Sequence, residues 1–319
     1  MIVTVTMNAA LDRTLTVPNF QPGQRHRASG WLMLAGGKGI NIARALKRLD
    51  VPVVATGLAG GRTGTAIVSE LTREGILNDF VQIADESRTS TAVVDSTGGS
   101  YTEINEWGPH VEPHELDILM EKLRYLTRGA DAVVFAGSLP RGVDEDFYAE
   151  AIRELNRRGV QTMLDAEGEP LRLGADVEPF LVSPNEREAE LLVGQEFHDS
   201  HDFAQALNHI ADLGPRNVLI TITSGCYALL REDRDELRYY ASVPLIEPLS
   251  PVGSGDVLLA GFVSARYEGR TAEESLRRAV AAGAAAVQEV GAGRFEPREI
   301  ARLEDGVQIE SLDGVASEL

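Results

Sequence analysis

Residues Ser250–Asp256, "SPVGSGD", run directly into "VLLAGFVSARY" (257–267). The segment reads either as a loose turn or as the mouth of a helix where chemistry takes place. Pro251 halts what precedes it, and Asp256 stands at the head of a pattern that predicts an amphipathic helix over 255–267. Successive N–H groups of Gly253, Ser254, Gly255 and Asp256 would form a nest at the positive end of that helix. Such a nest suits the charge that builds on a transferring phosphoryl group, and Asp256 beside it has the chemistry to accept a hydroxyl proton. An aspartate in that place is equally well a favourable charge on a first helical turn and nothing more. The motif alone does not choose.

Outward from this stretch, apolar strand-like runs alternate with helical patterns. Strands are expected at 2–6, 51–58, 131–137, 160–165, 179–183 and 217–223. Helices are expected near 40–49, 63–74, 113–127, 145–158, 186–193, 201–213, 255–267 and 272–290. That rhythm predicts an α/β fold with a mostly parallel central sheet covered by helices. Ligands of such sheets bind at the carboxyl ends of the strands, where Asn8, Gly137, Asp165, Ser183 and Ser224 fall. Residues 12–34 and 88–107 break the rhythm with a period of two and turn signals at Pro22-Gly23 and Gly98-Gly99. They read as antiparallel strands of a small β lid inserted into a single domain spanning 1–319, or as an oligomer contact, or as both.

Composition narrows the function class. The chain has 319 residues and a formal net charge of −19, which opposes binding to nucleic acid and to anionic membranes. It contains no apolar run of transmembrane length, and "MIVTVTMNAALD" lacks the basic start of a signal peptide, so a cytoplasmic protein is expected. The single cysteine, Cys226, leaves no internal disulfide and reads as a small buried hydrophobe. Lysine occurs only at 38, 47 and 122, which fits either GC-rich coding or life in a salty cytoplasm.

A second glycine-rich stretch, "LAGGKGINIARAL" (34–46), precedes a helix starting near Ile40. It is neither a Walker A loop nor a dinucleotide fingerprint. One of the three lysines, Lys38, sits among its glycines, where an ammonium complements a phosphate, and Asn41 one turn on is placed to meet a sugar hydroxyl.

Six segments taken together are far more specific than any one. "NAALD" (8–12), "GGKGIN" (36–41), "TEINEWGP" (102–109), "GSLP" (137–140), "PNEREAE" (184–190) and "PVGSGDVLLAGF" (251–262) occur in the order and spacing of the ribokinase-like sugar kinases. They look most like the phosphofructokinase-B branch that includes 1-phosphofructokinases and tagatose-6-phosphate kinases. The resemblance spans essentially the whole chain. It implies a three-layer sandwich with a lid, and ATP-dependent, Mg²⁺-assisted phosphorylation of a phosphorylated ketohexose. Fructose 1-phosphate is the expected acceptor, with tagatose 6-phosphate or fructose 6-phosphate as alternatives.

Carried over position by position, the resemblance makes Asp256 the base and Gly253, Ser254 and Gly255 the anion hole. Asp12, at the end of strand one, would hold sugar hydroxyls, and Gly37, Lys38 and Asn41 would form the sugar loop. Arg27 and Arg88 would meet the substrate phosphate from the lid, and Ser138 would line the "GSLP" turn. Asn185 and Glu188 would place Mg²⁺ through water, and Ser224, Gly225 and Gly283 would line the nucleotide. The oligomer-contact reading of residues 12–34 and 88–107 would make the protein a homodimer through the lid. Four residues depart from the pattern. Ser183 stands where many relatives carry a nucleotide-contacting lysine, a role Arg187 or magnesium would then assume. Ser250-Pro251 replaces Asn-Thr or Asp-Thr, as in the tagatose-6-phosphate kinase type, and Asp50 replaces a glycine. The missing lysine also admits a sugar-phosphate sensor without turnover, against which the intact Gly253–Asp256 element argues.

Overall fold

A computed structural model describes residues 1–244, 249–250, 252–289 and 291–313; Pro251 lies outside them. In chain order the elements are β1 (Ile2–Thr6), β2 (Ala10–Thr16), β3 (Gly30–Gly36), α1 (Lys38–Arg48), β4 (Val53–Gly60) and α2 (Gly61–Arg73). Then follow β5 (Leu77–Ile83), β6 (Arg88–Val94), β7 (Tyr101–Asn105), α3 (Pro113–Leu126), β8 (Ala132–Ala136) and α4 (Phe147–Arg157). Next come β9 (Gln161–Asp165), α5 (Gly168–Ala175), β10 (Leu181–Val182), α6 (Glu186–Val193), α7 (Ser200–Asp212) and β11 (Asn217–Ile222). The chain ends with β12 (Gly225–Glu232), β13 (Asp235–Ser242), α8 (Ser254–Tyr267), α9 (Ala272–Ala286), α10 (Pro297–Glu304) and β14 (Gln308–Ser311).

The large sheet runs β14-β13-β12-β11-β10-β9-β8-β1-β4-β5. From β11 to β5 all neighbours pair in parallel, and β12, β13 and β14 extend the far edge antiparallel. Every residue of β1 and β8 is buried, as a sheet covered on both faces requires. One apolar core joins the sheet to α1, α8 and α9, and a second joins its other face to α3, α4 and α7. After β1 the chain builds outward through β4 and β5, then returns to place β8 on the other side of β1. The order therefore reverses between β1 and β8, which leaves a crevice at their carboxyl ends.

The small sheet has the order β3-β2-β6-β7. Its outer pairs are antiparallel, while the central β2–β6 pair is parallel, because the two hairpin-like segments approach side by side. By register, Asp12, Ser90 and Asn105 share one face, and Met33, Arg13, Thr91 and Ile104 share the other.

Several local expectations change. α8 is not amphipathic: every residue from Asp256 to Ala265 is buried, because the helix lies between α1 and α9. α1 starts at Lys38 rather than near Ile40, with Gly37 as its N-cap at φ 108. Asp50 takes φ 58, the left-handed geometry an aspartate tolerates, where α1 turns towards β4. β5, β12, β13 and the short α5 and α10 had no counterpart among the sequence expectations.

Candidate active site

A cleft of about 710 Å³ opens at the β1–β8 reversal. Thr6 lines it from β1, Asn8 from the turn after β1, Gly137 and Ser138 from the turn after β8, Gly37 and Lys38 from the start of α1, and Arg88 and Asn105 from the small sheet. The "GSLP" turn is held from behind. Gly137 donates its N–H to Asp165 O (2.8 Å) and accepts at its own carbonyl from Tyr148 OH (3.0 Å). Ser138 Oγ accepts from Asn8 Nδ2 (3.3 Å), which also donates to Trp107 O (3.2 Å). Asn8 thereby ties the large sheet to the end of the small one.

Charge concentrates at the back of this cleft. Lys38 Nζ donates to Asp165 Oδ1 at 2.7 Å and to Glu188 Oε1 at 3.3 Å. Burial works against the ammonium, but Asp165, Glu188 and Asp256 outweigh it and hold its pKa above that of an ordinary lysine. Asp256 is buried on the first turn of α8, and its Oδ2 accepts from Asn41 Nδ2 at 2.8 Å. Burial, then Asp165, push its carboxyl well above the ordinary carboxylate range; Lys38 and the Asn41 hydrogen bond oppose this, and Asp12 adds to it. A buried carboxyl so raised, beside a lysine that lines the cleft, is a candidate general base.

Asp256 follows a sharp turn that only glycine makes cheaply. Gly253 caps α8 at φ 76, and a Cβ there would stand 2.7 Å from Ala292 Cβ. A Cβ on Gly255, by contrast, would meet nothing within 4 Å. The first turn of α8 is therefore open on the side of Gly255, next to Asp256, and the start of a helix is compatible with an anion.

Asp12 does not end strand one: it lies on β2 of the small sheet, opposite Leu34 and Ser90. Its carboxyl fills the space beside Gly36, where a Cβ would meet Asp12 Oδ2 at 1.9 Å. Burial pushes its pKa up to about 6, with Arg88 and Arg44 opposing and Glu103 adding. Arg88 faces the cleft, its Nε donating to Asn8 O (3.2 Å) and its Nη1 to Asn105 Oδ1 (3.5 Å). Arg27 is not brought to the cleft: it is exposed on the β2–β3 connection and makes no hydrogen bond or ion pair among the described residues.

The "PNEREAE" element has an independent structural cause. Asn185 caps α6, its Oδ1 accepting from Glu188 N (2.9 Å), while Glu188 Oε2 accepts from Asn185 N (2.9 Å). Such a reciprocal cap contributes about 1 kcal/mol whatever else it does. Glu188 still has its other oxygen on Lys38, and burial first, with Asp165, raises its pKa against Lys38. Among the described residues no group of three or more His, Cys, Asp or Glu is gathered as a metal cage. Asp165 and Glu188 nevertheless share one cation, Lys38, and hard oxygen donors in that number fit a Mg²⁺ held mostly by phosphates and water.

The other expected nucleotide positions are only loosely grouped. Asn185 bridges Thr221, and the exposed Ser224, bonded to Tyr240 OH (3.1 Å), follows at the end of β11. Gly225 and Gly283 are explained by packing: a Cβ would meet Ala241 O at 2.1 Å in the first case and Leu258 Cβ at 3.2 Å in the second. Ser183 is buried directly after β10 and its N–H donates to Leu164 O (3.0 Å), while Arg187 is exposed on α6.

Two residues gain importance that their sequence positions did not signal. Asp165 was legible only as a polar strand end, yet it anchors Lys38. Arg44, buried one turn beyond Asn41, forms a bidentate pair with Glu74 (2.6 and 2.9 Å). Losing one partner of a pair so buried costs about 3–5 kcal/mol, and less here because Glu74 is partly exposed.

Comparison with known proteins shows the family. The family model of the pfkB family carbohydrate kinases matches residues 3–299. This chain belongs to the pfkB family of carbohydrate kinases. It is 33% identical over 285 residues to the 1-phosphofructokinase of Borreliella burgdorferi, covering 89% of this chain and 91% of that protein. It is 31% identical over 297 residues to the 1-phosphofructokinase of Bacillus subtilis, covering 92% and 96%. Among solved structures, phosphofructokinase-2 of Escherichia coli in complex with fructose-6-phosphate superposes with a TM-score of 0.85 at 26% identity, over 95% of this chain and 98% of that one. As a pfkB kinase the chain has the ribokinase-like α/β fold, with helices on both faces of its central sheet. No helix of the described residues is long and apolar enough to cross a membrane.

Proposed function

We propose that this kinase transfers the terminal phosphoryl group of ATP to the free primary hydroxyl of fructose 1-phosphate, giving fructose 1,6-bisphosphate and ADP. The observation that carries the reading is the buried carboxyl of Asp256, beside the glycine-capped start of α8 and held by Asn41 at 2.8 Å, within the field of Lys38, which with Arg88 lines the cleft. The acceptor is taken from the two relatives named 1-phosphofructokinase.

In this reading Asp256 takes the hydroxyl proton as the sugar oxygen bonds to the terminal phosphorus and the bond to the ADP oxygen breaks. Backbone N–H groups at Gly253–Asp256 meet the charge on the phosphoryl oxygens, and Asn41 holds the base. Asp12 orients sugar hydroxyls, and Arg88 and Lys38 complement the two phosphate ends of the cleft. Bound Mg²⁺ supplies charge neutralisation between the nucleotide phosphates; Asn185 and Glu188 would hold its water shell. Ser224, Gly225 and Gly283 border the nucleotide. The small sheet, with Asp12 and Arg88 on its inner face, serves as a lid that excludes water. Its outer face exposes Trp31, Met33 and Ile104, which fits a second copy of the lid.

A second acceptor, fructose 6-phosphate, follows from the likeness to the Escherichia coli enzyme. A ketohexofuranose carries a primary carbon at each end, so one cleft can present either hydroxyl to the base. ADP release with fructose 1-phosphate, fructose 6-phosphate, tagatose 6-phosphate and ribose, at low and high KCl, tests the assignment. The highest kcat/KM is expected with fructose 1-phosphate; a preference for either 6-phosphate overturns it.

A further inference from the structure

Arg44 uses all three guanidinium nitrogens on acceptors from four different parts of the chain. Nε and Nη2 hold Glu74, at the end of α2, at 2.6 and 2.9 Å. Nη2 also donates to Ala35 O at 2.8 Å, on strand β3 of the small sheet. Nη1 donates to Ala292 O and to Asn41 Oδ1, each at 3.3 Å. Two of these acceptors lead to the reaction centre. With its Oδ1 taken by Arg44, the Asn41 amide is fixed in the orientation that points Nδ2 at Asp256 Oδ2, 2.8 Å away. Ala292 is the residue against which the Gly253 turn closes, so tightly that a Cβ on Gly253 would stand 2.7 Å from its methyl.

We infer that Arg44 is a positioning residue that sets base and anion-binding turn together, through Asn41 on one side and Ala292 on the other, and registers both to the lid strand at Ala35. The inference rests on the assignment of Asp256 as base. A guanidinium suits the task because its planar fork reaches several carbonyls at fixed angles, which an ammonium cannot do. Glu74 neutralises the buried cation, so the fork is a fixed scaffold and does not compete for the substrate phosphate.

The test compares Arg44→Met, Asn41→Ala, the double variant and Asp256→Asn in the full-length enzyme. Steady-state kinetics with fructose 1-phosphate and ATP are read with melting temperatures and the pH profile of kcat. For Arg44→Met, kcat is expected to fall about 10-fold or more, with both KM values changing less than about 3-fold. The double variant should be slower than Asn41→Ala, through the lost Ala292 contact, but by clearly less than the Arg44→Met loss alone, since part of that loss runs through the Asn41 amide. The acid limb of kcat should move to higher pH in Arg44→Met. Asp256 is surrounded by Asp165 on β9, Lys38 and Asn41 on α1 and Asp12 on β2, and a loosened Asn41 removes one of the interactions that favour its ionised form.

A wild-type kcat in folded Arg44→Met, or a fully multiplicative loss in the double variant, overturns the inference. Should Arg44→Met fail to fold, Arg44→Lys is read by the same criteria. Its ammonium keeps Glu74 company but cannot reach Asn41 and Ala292 as well, so wild-type turnover there also overturns it. If Asp256→Asn itself turns over normally, the base assignment fails and this inference fails with it. An inactive Asp256→Asn beside an unslowed Arg44→Met removes only the role of the arginine.

Discussion

Lys38 Nζ lies 2.7 Å from Asp165 Oδ1, joining the first turn of α1 to the end of β9 across 127 residues of chain. The same ammonium reaches Glu188 Oε1 at 3.3 Å and lies within the field of Asp256. A single cation thus holds together three carboxyls that would otherwise repel at the back of the cleft. This makes the site sensitive to protonation and to charge removal in ways that can be measured.

Asp256→Asn should lower kcat by about 100-fold or more while Kd for the sugar phosphate, read by calorimetry, stays within about 3-fold. Near-normal turnover would remove Asp256 from the role of base.

The same substitution should stabilise the fold at neutral pH. A carboxyl whose folded pKa is raised costs nothing below its unfolded pKa and loses stability as pH rises through the folded one, because its ionised form is disfavoured by burial and by Asp165. The gain in Tm for Asp256→Asn over the native chain should therefore be larger at pH 8 than at pH 5. A gain of about 1 kcal/mol corresponds to roughly 2–4 °C in a chain of this size class. A variant less stable at pH 8 than at pH 5, relative to the native chain, contradicts the sign.

Arg88→Ala should raise KM for fructose 1-phosphate by about 10-fold or more and change that for fructose little, since the loss concerns a charge-assisted phosphate contact. Equal losses on both sugars would show that Arg88 acts only through Asn8 O and Asn105.

Two glycines close to Asp256 in the chain should separate. Gly253→Ala forces a left-handed position and a clash with Ala292, so its Tm should fall. Gly255→Ala meets open space in a helical turn and gains helix propensity, so its Tm should hold or rise. Its kcat should nonetheless fall about 10-fold or more, because the methyl occupies room needed by the phosphoryl group. An active Gly255→Ala would place the anion elsewhere.

Much of this was legible in the chain. The alternation of apolar runs and helical patterns yields the parallel sheet from β1 to β11, because strands buried on both faces must be apolar throughout. The half-exposed β5 and β13 escaped that signal, since their polar residues obscure it. α8 was read as amphipathic, yet its polar residues Asp256 and Ser264 are both buried, Asp256 on Asn41 and Ser264 against Arg278 of α9.

By itself the sequence determined the order of elements, the glycine turn before Asp256, the lysine among the glycines and the family. Those features are local, set by backbone freedom and by the period of apolar residues. Only the tertiary structure decided that Asp12 stands on the small sheet, that Arg27 stays outside the cleft, and that Asp165 shares Lys38 with Glu188. It alone joined Asn41 to Asp256, 215 residues away, with Arg44 behind them. Charge and hydrogen bonding act through space over a few ångströms, and no spacing along the chain encodes which distant carboxyl a given amide will meet.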